Sequence, residues 1–223
     1  MLAEHTTDGD SRADCAVGVV LLAAGSAARI GHRPKCLLEL NGEPLIQRLL
    51  RALLHSGVKN IAVVLGHYAE YIKPIVTNFP VTVVHNPTPD AGQNSSLHCG
   101  LNALPQPLDA VMVALADQPL LNAQDIGDLI RAFHARPKMA EAVVPTLNDL
   151  PGNPVIFSDE VRSAILARDT AFGCKQWQSA NPERVYRWPT PNEHYRLDID
   201  TLDDIEAFAV RTGQLLRWPT SIE

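Results

Sequence analysis

The sequence predicts an α/β fold: a mostly parallel sheet with helices on both faces. Three observations carry this. Short continuous apolar runs at residues 17–22, 61–65, 81–84 and 110–116 have the composition of strands buried on both sides. Segments with apolar residues three and four apart separate these runs. The two alternate through the first two thirds of the chain, as strand–helix–strand units require.

The first strand ends at Leu22, and a loop of small residues follows at 23–34. Residues 44–55 place Leu45, Leu49, Ala52 and Leu53 on one helical face, and Gly57 suits the turn that ends it. A second helix is expected at 68–76. A polar loop at 85–94 leads to a third helix at 95–104. Asp117-Gln118-Pro119 breaks the strand at 110–116. Residues 124–135 carry Ile126, Leu129, Ile130 and Phe133 as an inner stripe. Later strands are expected at 142–144, 155–157, 184–188 and 197–199, with helices at 159–167 and 202–211. No repeat or low-complexity linker interrupts this order, so residues 15–223 read as one domain. The polar, mixed-charge residues 1–14 read as a disordered tail without the apolar core of a signal peptide.

The chain has 223 residues, 46% hydrophobic and 20% charged, as in a soluble globular domain with a substantial core. Nineteen Lys and Arg against 25 Asp and Glu give a net charge of -6, which argues against nucleic acid as a partner. No apolar run is long enough for a membrane span. The four cysteines form no C-x-x-C pair, so neither zinc nor a redox dithiol is suggested, and reduced thiols in the cytoplasm are the simplest reading. Histidines show no metal-ligand spacing, so His67, His85 and His98 read as surface or packing residues. Trp177, Trp188 and Trp218 read as packing residues, and no Gly-x-Ser-x-Gly elbow supports a serine hydrolase.

Ligands of open parallel sheets sit beyond the carboxyl ends of the strands. There the chain reads Leu22-Ala23-Ala24-Gly25-Ser26-Ala27-Ala28-Arg29-Ile30-Gly31, then His32-Arg33-Pro34-Lys35. Small residues let backbone amides approach phosphate oxygens, and Arg29, Arg33 and Lys35 add positive charge. A dinucleotide fingerprint is excluded by Ala27, and a P-loop by His32 after Gly31 and Cys36 after Lys35. Read alone, the segment is equally a Gly-Ala turn with surface arginines. Asp117 ends an apolar strand, where a carboxylate faces the ligand crevice and suits Mg²⁺, or caps the next turn. Asp198 and Asp200 alternate onto one side of an extended segment, and Thr201 and Asp204 have capping-box spacing. Asn86 and the run Gly92-Gln93-Asn94-Ser95-Ser96 offer amides and hydroxyls to a nucleobase edge, or serve as turn residues.

These residues together resemble the molybdopterin nucleotidyltransferase family. Leu22-Ala23-Ala24-Gly25, Arg29, Gly31, Lys35, Leu37-Leu38 and Gly42-Glu43-Pro44-Leu45 match its signature, and the resemblance extends to about Phe208. It implies a three-layer, Rossmann-like α/β/α nucleotidyltransferase fold and an enzyme that needs Mg²⁺. It implies that Leu22, Ala23, Ala24, Gly25, Lys35, Asn86, Gly92 and Ser96 bind the nucleotide, with Lys35, Arg29 and Asp117 catalytic. Asp117 and Asp198 are the implied metal ligands, with Asp200 competing for the second place. Gly152, Asn153 and Pro154 resemble the stretch toward the acceptor. Leu-Ala-Ala-Gly goes with the cytidylyl enzymes of the family, which implies CTP over GTP, molybdenum cofactor as acceptor, and a molybdoenzyme or its chaperone as receiver. The cytidylyl enzymes read close to Gly-Asp-x-Gly-Ala-Arg where this chain has Arg168-Asp169-Thr170-Ala171-Phe172-Gly173. That departure leaves a sugar phosphate or another phosphorylated small molecule as alternative acceptor. A nucleotide-binding accessory protein without turnover is the remaining reading.

Overall fold

The computed structural model describes residues 16–220, so the tail expected at 1–14 and the thiol of Cys15 lie outside the described residues. In chain order the elements are β1 (Val17–Ala23), β2 (Glu39–Leu40), β3 (Glu43–Pro44), α1 (Leu45–His55), β4 (Asn60–Leu65), α2 (Ala69–Val76), β5 (Thr82–His85), α3 (Gln93–Ala103), β6 (Ala110–Leu115) and α4 (Ala123–His134). The second half adds β7 (Ala142–Leu147), β8 (Leu150–Pro151), β9 (Val155–Ser158), α5 (Asp159–Leu166), α6 (Cys174–Ala180), β10 (Val185–Pro189), α7 (Leu202–Thr212) and β11 (Leu216–Arg217).

The main sheet runs β10-β7-β9-β6-β1-β4-β5, with β8 paired to β7. Its centre is parallel: β1 lies between β4 and β6, and β5 follows β4. Only β9 and β8 run against their neighbours. The strand alternation sorts the core into two layers. Val17, Val19 and Leu21 of β1 join Leu49 and Leu53 of α1 and Ile126, Leu129 and Phe133 of α4 on one face. Val20 and Leu22 join Leu97 and Leu101 of α3 and Val161 and Ile165 of α5 on the other. The three-layer expectation therefore holds. No helix among the described residues is long and apolar enough to cross a membrane.

Close approach of α3 to the sheet rests on Gly100. A Cβ there would stand 2.4 Å from Val20 Cγ1 and 2.9 Å from Val64 Cγ2. Gly100→Ala should lower unfolding stability by about 1–3 kcal/mol through overpacking, read from a denaturant midpoint. An unchanged midpoint would show that the helix backs away at no cost.

Two features differ from the sequence expectation. A three-stranded sheet, β11-β2-β3, stands apart and roofs a third apolar cluster that includes Leu38, Leu40, Ile199 and Phe208. Its hairpin turns on Asn41 and Gly42, both at positive φ (57° and 79°), as a two-residue turn of the I′ type requires. Residues 197–199, expected as a strand, pair with no strand; Ile199 N–H instead donates to the Asp117 carbonyl (3.1 Å). Leu197 and Ile199 are buried and Asp198 is exposed, so the predicted alternation survives without the ladder.

Candidate active site

Parallel strands bring their carboxyl ends to one edge. In register, Ala23 of β1 stands beside Leu65 of β4, and Leu22 beside Leu115 of β6. The small-residue loop leaves this edge from β1, and Asp117 leaves it from β6. A 3-10 turn, Lys35–Leu37, follows Pro34; its Cys36 and Leu37 are buried and anchor the turn from below. Burial pushes the Cys36 thiol up to about 12, so it stays neutral.

Lys35 carries the site. Its Nζ lies 2.6 Å from Asp117 Oδ2 and 2.6 Å from Asp200 Oδ1. Arg29 Nη2 donates to the other oxygen of Asp200 at 2.8 Å. Three segments distant in sequence thus meet in one chain of alternating charge. Burial opposes the charge on Lys35, but Asp117 and then Asp200 outweigh it and raise its pKa. Burial would raise Asp200 too; Lys35 and then Arg29 reverse this and hold its carboxyl below the usual range. Asp198 makes no such ion pair: partial burial of its carboxyl first, then the charges of Asp117 and Asp200, push it up, against a weaker opposing effect of Lys35.

The residues suit a divalent cation in a limited way. Asp117 Oδ1 is buried without a hydrogen-bond partner, and Asp198 bears like charge from Asp117 and Asp200 that Lys35 offsets only in part. A hard cation beside them would relieve both. Among the described residues, however, no group of three or more His, Cys, Asp or Glu side chains stands ready to hold a metal. Asp117, Asp198 and Asp200 therefore do not form a complete cage, because Lys35 occupies the space between two of them. One or two carboxylates plus phosphate oxygens are the ordinary Mg²⁺ set.

In the loop, Leu22, Ala23 and Ala24 are buried, whereas Gly25 is exposed. A Cβ on Gly25 would meet nothing within 4 Å, and its φ does not call for glycine. The fold itself does not require glycine there, and its bare backbone leaves space for close approach. Gly31 is different: its φ of 74° explains it. Arg33, expected at the phosphates, has its guanidinium over Trp218 at 5.5 Å to the ring centre.

The region expected to read a base is braced from within. Asn86 and Ser96 are buried, and Asn86 Nδ2 donates to Ser95 Oγ (2.8 Å) and Ser96 Oγ (2.9 Å). Asn86 Oδ1 accepts from Thr88 N–H. These bonds brace the loop, because buried polar atoms must find partners. Gly92, at φ 97°, sits exposed at the start of α3.

In the stretch expected to face an acceptor, Gly152 packs so tightly that a Cβ would lie 2.5 Å from the Tyr195 carbonyl. Asn153 N–H donates to that same carbonyl (2.7 Å), and Pro154 is buried. Gln118, beside Asp117, ties these pieces together: its Nε2 donates to the carbonyls of Asn153 (3.0 Å) and Tyr195 (3.4 Å). This bracing role of Gln118 could not be read in the sequence, since one glutamine in a turn carries no signal of its distant partners. The divergent segment at 168–173 folds onto the start of α3: Asn94 Nδ2 donates to the Ala171 carbonyl at 2.6 Å.

A parallel sheet whose carboxyl edge joins a small-residue loop, a lysine and paired aspartates is the arrangement of a nucleotidyltransferase. The family described as the MobA-like NTP transferase domain matches residues 19–185, and the chain belongs to it. The chain is similar to nicotine blue oxidoreductase of Paenarthrobacter nicotinovorans, 28% identical over 88% of this chain and 98% of that protein. It is also similar to the bifunctional protein GlmU of Mycobacterium avium, 34% identical over 60% of this chain. The chain matches only 29% of GlmU's length. A solved nucleotidyl transferase from Methanothermobacter shares the fold with TM-score 0.72, 20% identity, and coverage of 87% and 96% of the two chains. The structure of Rv0371C from Mycobacterium tuberculosis H37Rv in complex with manganese aligns with TM-score 0.64 at 26% identity, covering 86% of this chain and 96% of that one.

Proposed function

We propose that this chain, acting as one domain, transfers a nucleoside monophosphate from CTP to a phosphorylated acceptor and releases pyrophosphate. The observation that carries this reading is Lys35 bridging Asp117 and Asp200 beside an open glycine loop. An acceptor phosphate oxygen attacks the α-phosphorus; the bond to the β-phosphate oxygen breaks, and its electron pair leaves with pyrophosphate. The attacking oxygen is already ionised near neutral pH, so the site needs alignment and charge neutralisation more than a base. Lys35 and Arg29 meet the triphosphate oxygens, and the loop amides hold them in line. Asp117, with Asp198 or Asp200, holds a divalent cation, taken as Mg²⁺, which would neutralise charge building on the phosphates. The manganese complex of Rv0371C supports a divalent ion as the cofactor.

The favoured acceptor is molybdenum cofactor, from which a molybdoenzyme or its chaperone would take the product. It rests on Leu22-Ala23-Ala24-Gly25 and on the Gly152-Asn153-Pro154 turn beside Gln118. A sugar phosphate is the second reading, favoured by the divergent 168–173 segment. The name of the Paenarthrobacter relative suggests redox chemistry for that protein. The crevice here presents a lysine, an arginine and carboxylates, which handle phosphate charge.

A pyrophosphate-release assay with CTP, GTP, UTP or ATP, Mg²⁺, and either molybdenum cofactor or sugar phosphates tests the reading. Release with CTP and molybdenum cofactor is expected. Release only with sugar phosphates would overturn the acceptor, and no release from any pairing would leave a nucleotide-binding accessory protein.

A further inference from the structure

The turn after β4 lies against the glycine loop. A Cβ on Gly66 would stand 2.9 Å from the Ala24 carbonyl oxygen and 2.8 Å from Pro89 Cβ, so glycine lets three segments meet. Next in sequence, His67 Nδ1 is 3.1 Å from that Ala24 oxygen. A carbonyl only accepts, so Nδ1 carries the proton. His67 Nε2 faces Asp90 Oδ1 at 3.1 Å, which links the loop to the turn Pro89–Ala91. Tyr68, with left-handed backbone (φ 61°), donates its hydroxyl to the Ser26 carbonyl at 2.9 Å.

Peptide geometry turns these contacts into an orientation. In a trans peptide the C=O and the following N–H point in opposite directions, and the loop peptides are trans. Carbonyls of Ala24 and Ser26 drawn toward the turn therefore aim the N–H groups of Gly25 and Ala27 away from it. Among the described residues neither N–H donates to another backbone group. Ala27 itself is left-handed (φ 51°), an uncommon state for alanine that tends to mark functional loops. Successive amides that share a direction make an anion-binding concavity.

We propose that His67 and Tyr68 are positioning residues for a phosphate cradle formed by the amides of Gly25 and Ala27. The identity of the phosphate as a nucleotide's rests on the function proposed above; the cradle does not. His67 is thus more than the surface or packing residue its sequence context suggests. Its Nδ1 is spent on a loop carbonyl, and its Nε2 faces the Asp90 carboxylate.

Inorganic tripolyphosphate is the probe, with ¹⁵N–¹H shifts of the full chain as readout. In the wild type, the Gly25 and Ala27 amides should shift on titration. His67→Ala combined with Tyr68→Phe should weaken tripolyphosphate about tenfold, the loss of one preorganised charged hydrogen bond. Tyr68→Phe alone removes one oxygen atom and should weaken it about threefold. His67→Asn, whose Nδ2 takes the place of Nδ1, should stay within about threefold of wild type. A packing role alone would not be rescued by asparagine. Unmoved Gly25 and Ala27 amides, or wild-type affinity in the double variant, would overturn the cradle. Tripolyphosphate binding with these shifts, but no pyrophosphate from any nucleotide, would support the cradle and overturn the enzymatic reading.

Discussion

Lys35→Met should lower turnover by ~10²–10³-fold while the fold persists. Methionine keeps most of the aliphatic stem, so the anchored turn around Cys36 and Leu37 loses little packing. What disappears is the ammonium that touches both Asp117 and Asp200. In the resting site this ammonium neutralises carboxylates; during transfer it has to neutralise phosphate instead. On the function proposed above, each charge would exchange its partner, and Asp117, freed of the ammonium, would hold a divalent cation. The same variant should therefore bind Mn²⁺ more tightly than wild type, because the competing cation is gone. Paired measurements of kcat and Mn²⁺ affinity check both halves. A wild-type kcat would remove Lys35 from the mechanism, and weaker Mn²⁺ binding would remove the exchange of partners.

Central features of this site were legible because they rest on short-range chemistry. The apolar run into Leu22, the small residues behind it and the strand end at Asp117 are local patterns, and they fix which sheet edge the groups share. Thr201 and Asp204 form the reciprocal cap their spacing implies. Other features depend on partners that no local pattern names. Residues 197–199 alternate like a strand, but their backbone meets the end of β6 and no ladder. The bonds of Asn86 to Ser95 and Ser96, nine and ten residues on, are named by no local pattern. The Asn41-Gly42 turn was a missed signal of the opposite kind: the dipeptide is a strong hairpin mark, but its two-residue strands are too short to show alternation. His67 and Tyr68 reveal their role only once the loop carbonyls lie opposite them.

Arg162→Met should lower stability by about 3–5 kcal/mol, the range for breaking a buried ionic network. Arg162 lies on α5 and is 2% exposed, an uncommon place for a guanidinium. Its Nη2 donates to the carbonyls of Leu101 (2.6 Å) and Leu104 (2.8 Å). Nη1 donates to the carbonyl of Pro105 (3.0 Å) and to Asp159 (3.2 Å). Those carbonyls lie at the end of α3, where a helix leaves its last acceptors unpaired and its dipole negative. One planar cation thus satisfies the end of α3 and joins it to α5. Methionine fills similar volume but leaves three carbonyls without this donor, and the two that are buried, of Leu101 and Leu104, each cost about 1–3 kcal/mol before relaxation. Arg162→Lys keeps the charge with a single ammonium, which cannot span the same carbonyls in one plane, so it should recover less than half of the loss. Urea unfolding of the three proteins separates these effects, and a methionine variant within about 1 kcal/mol of wild type would mean that water replaces the guanidinium. Because α3 begins at the loop that Asn86 braces, a loosened far end should also weaken nucleotide binding in Arg162→Met while leaving Mn²⁺ affinity at the aspartates unchanged.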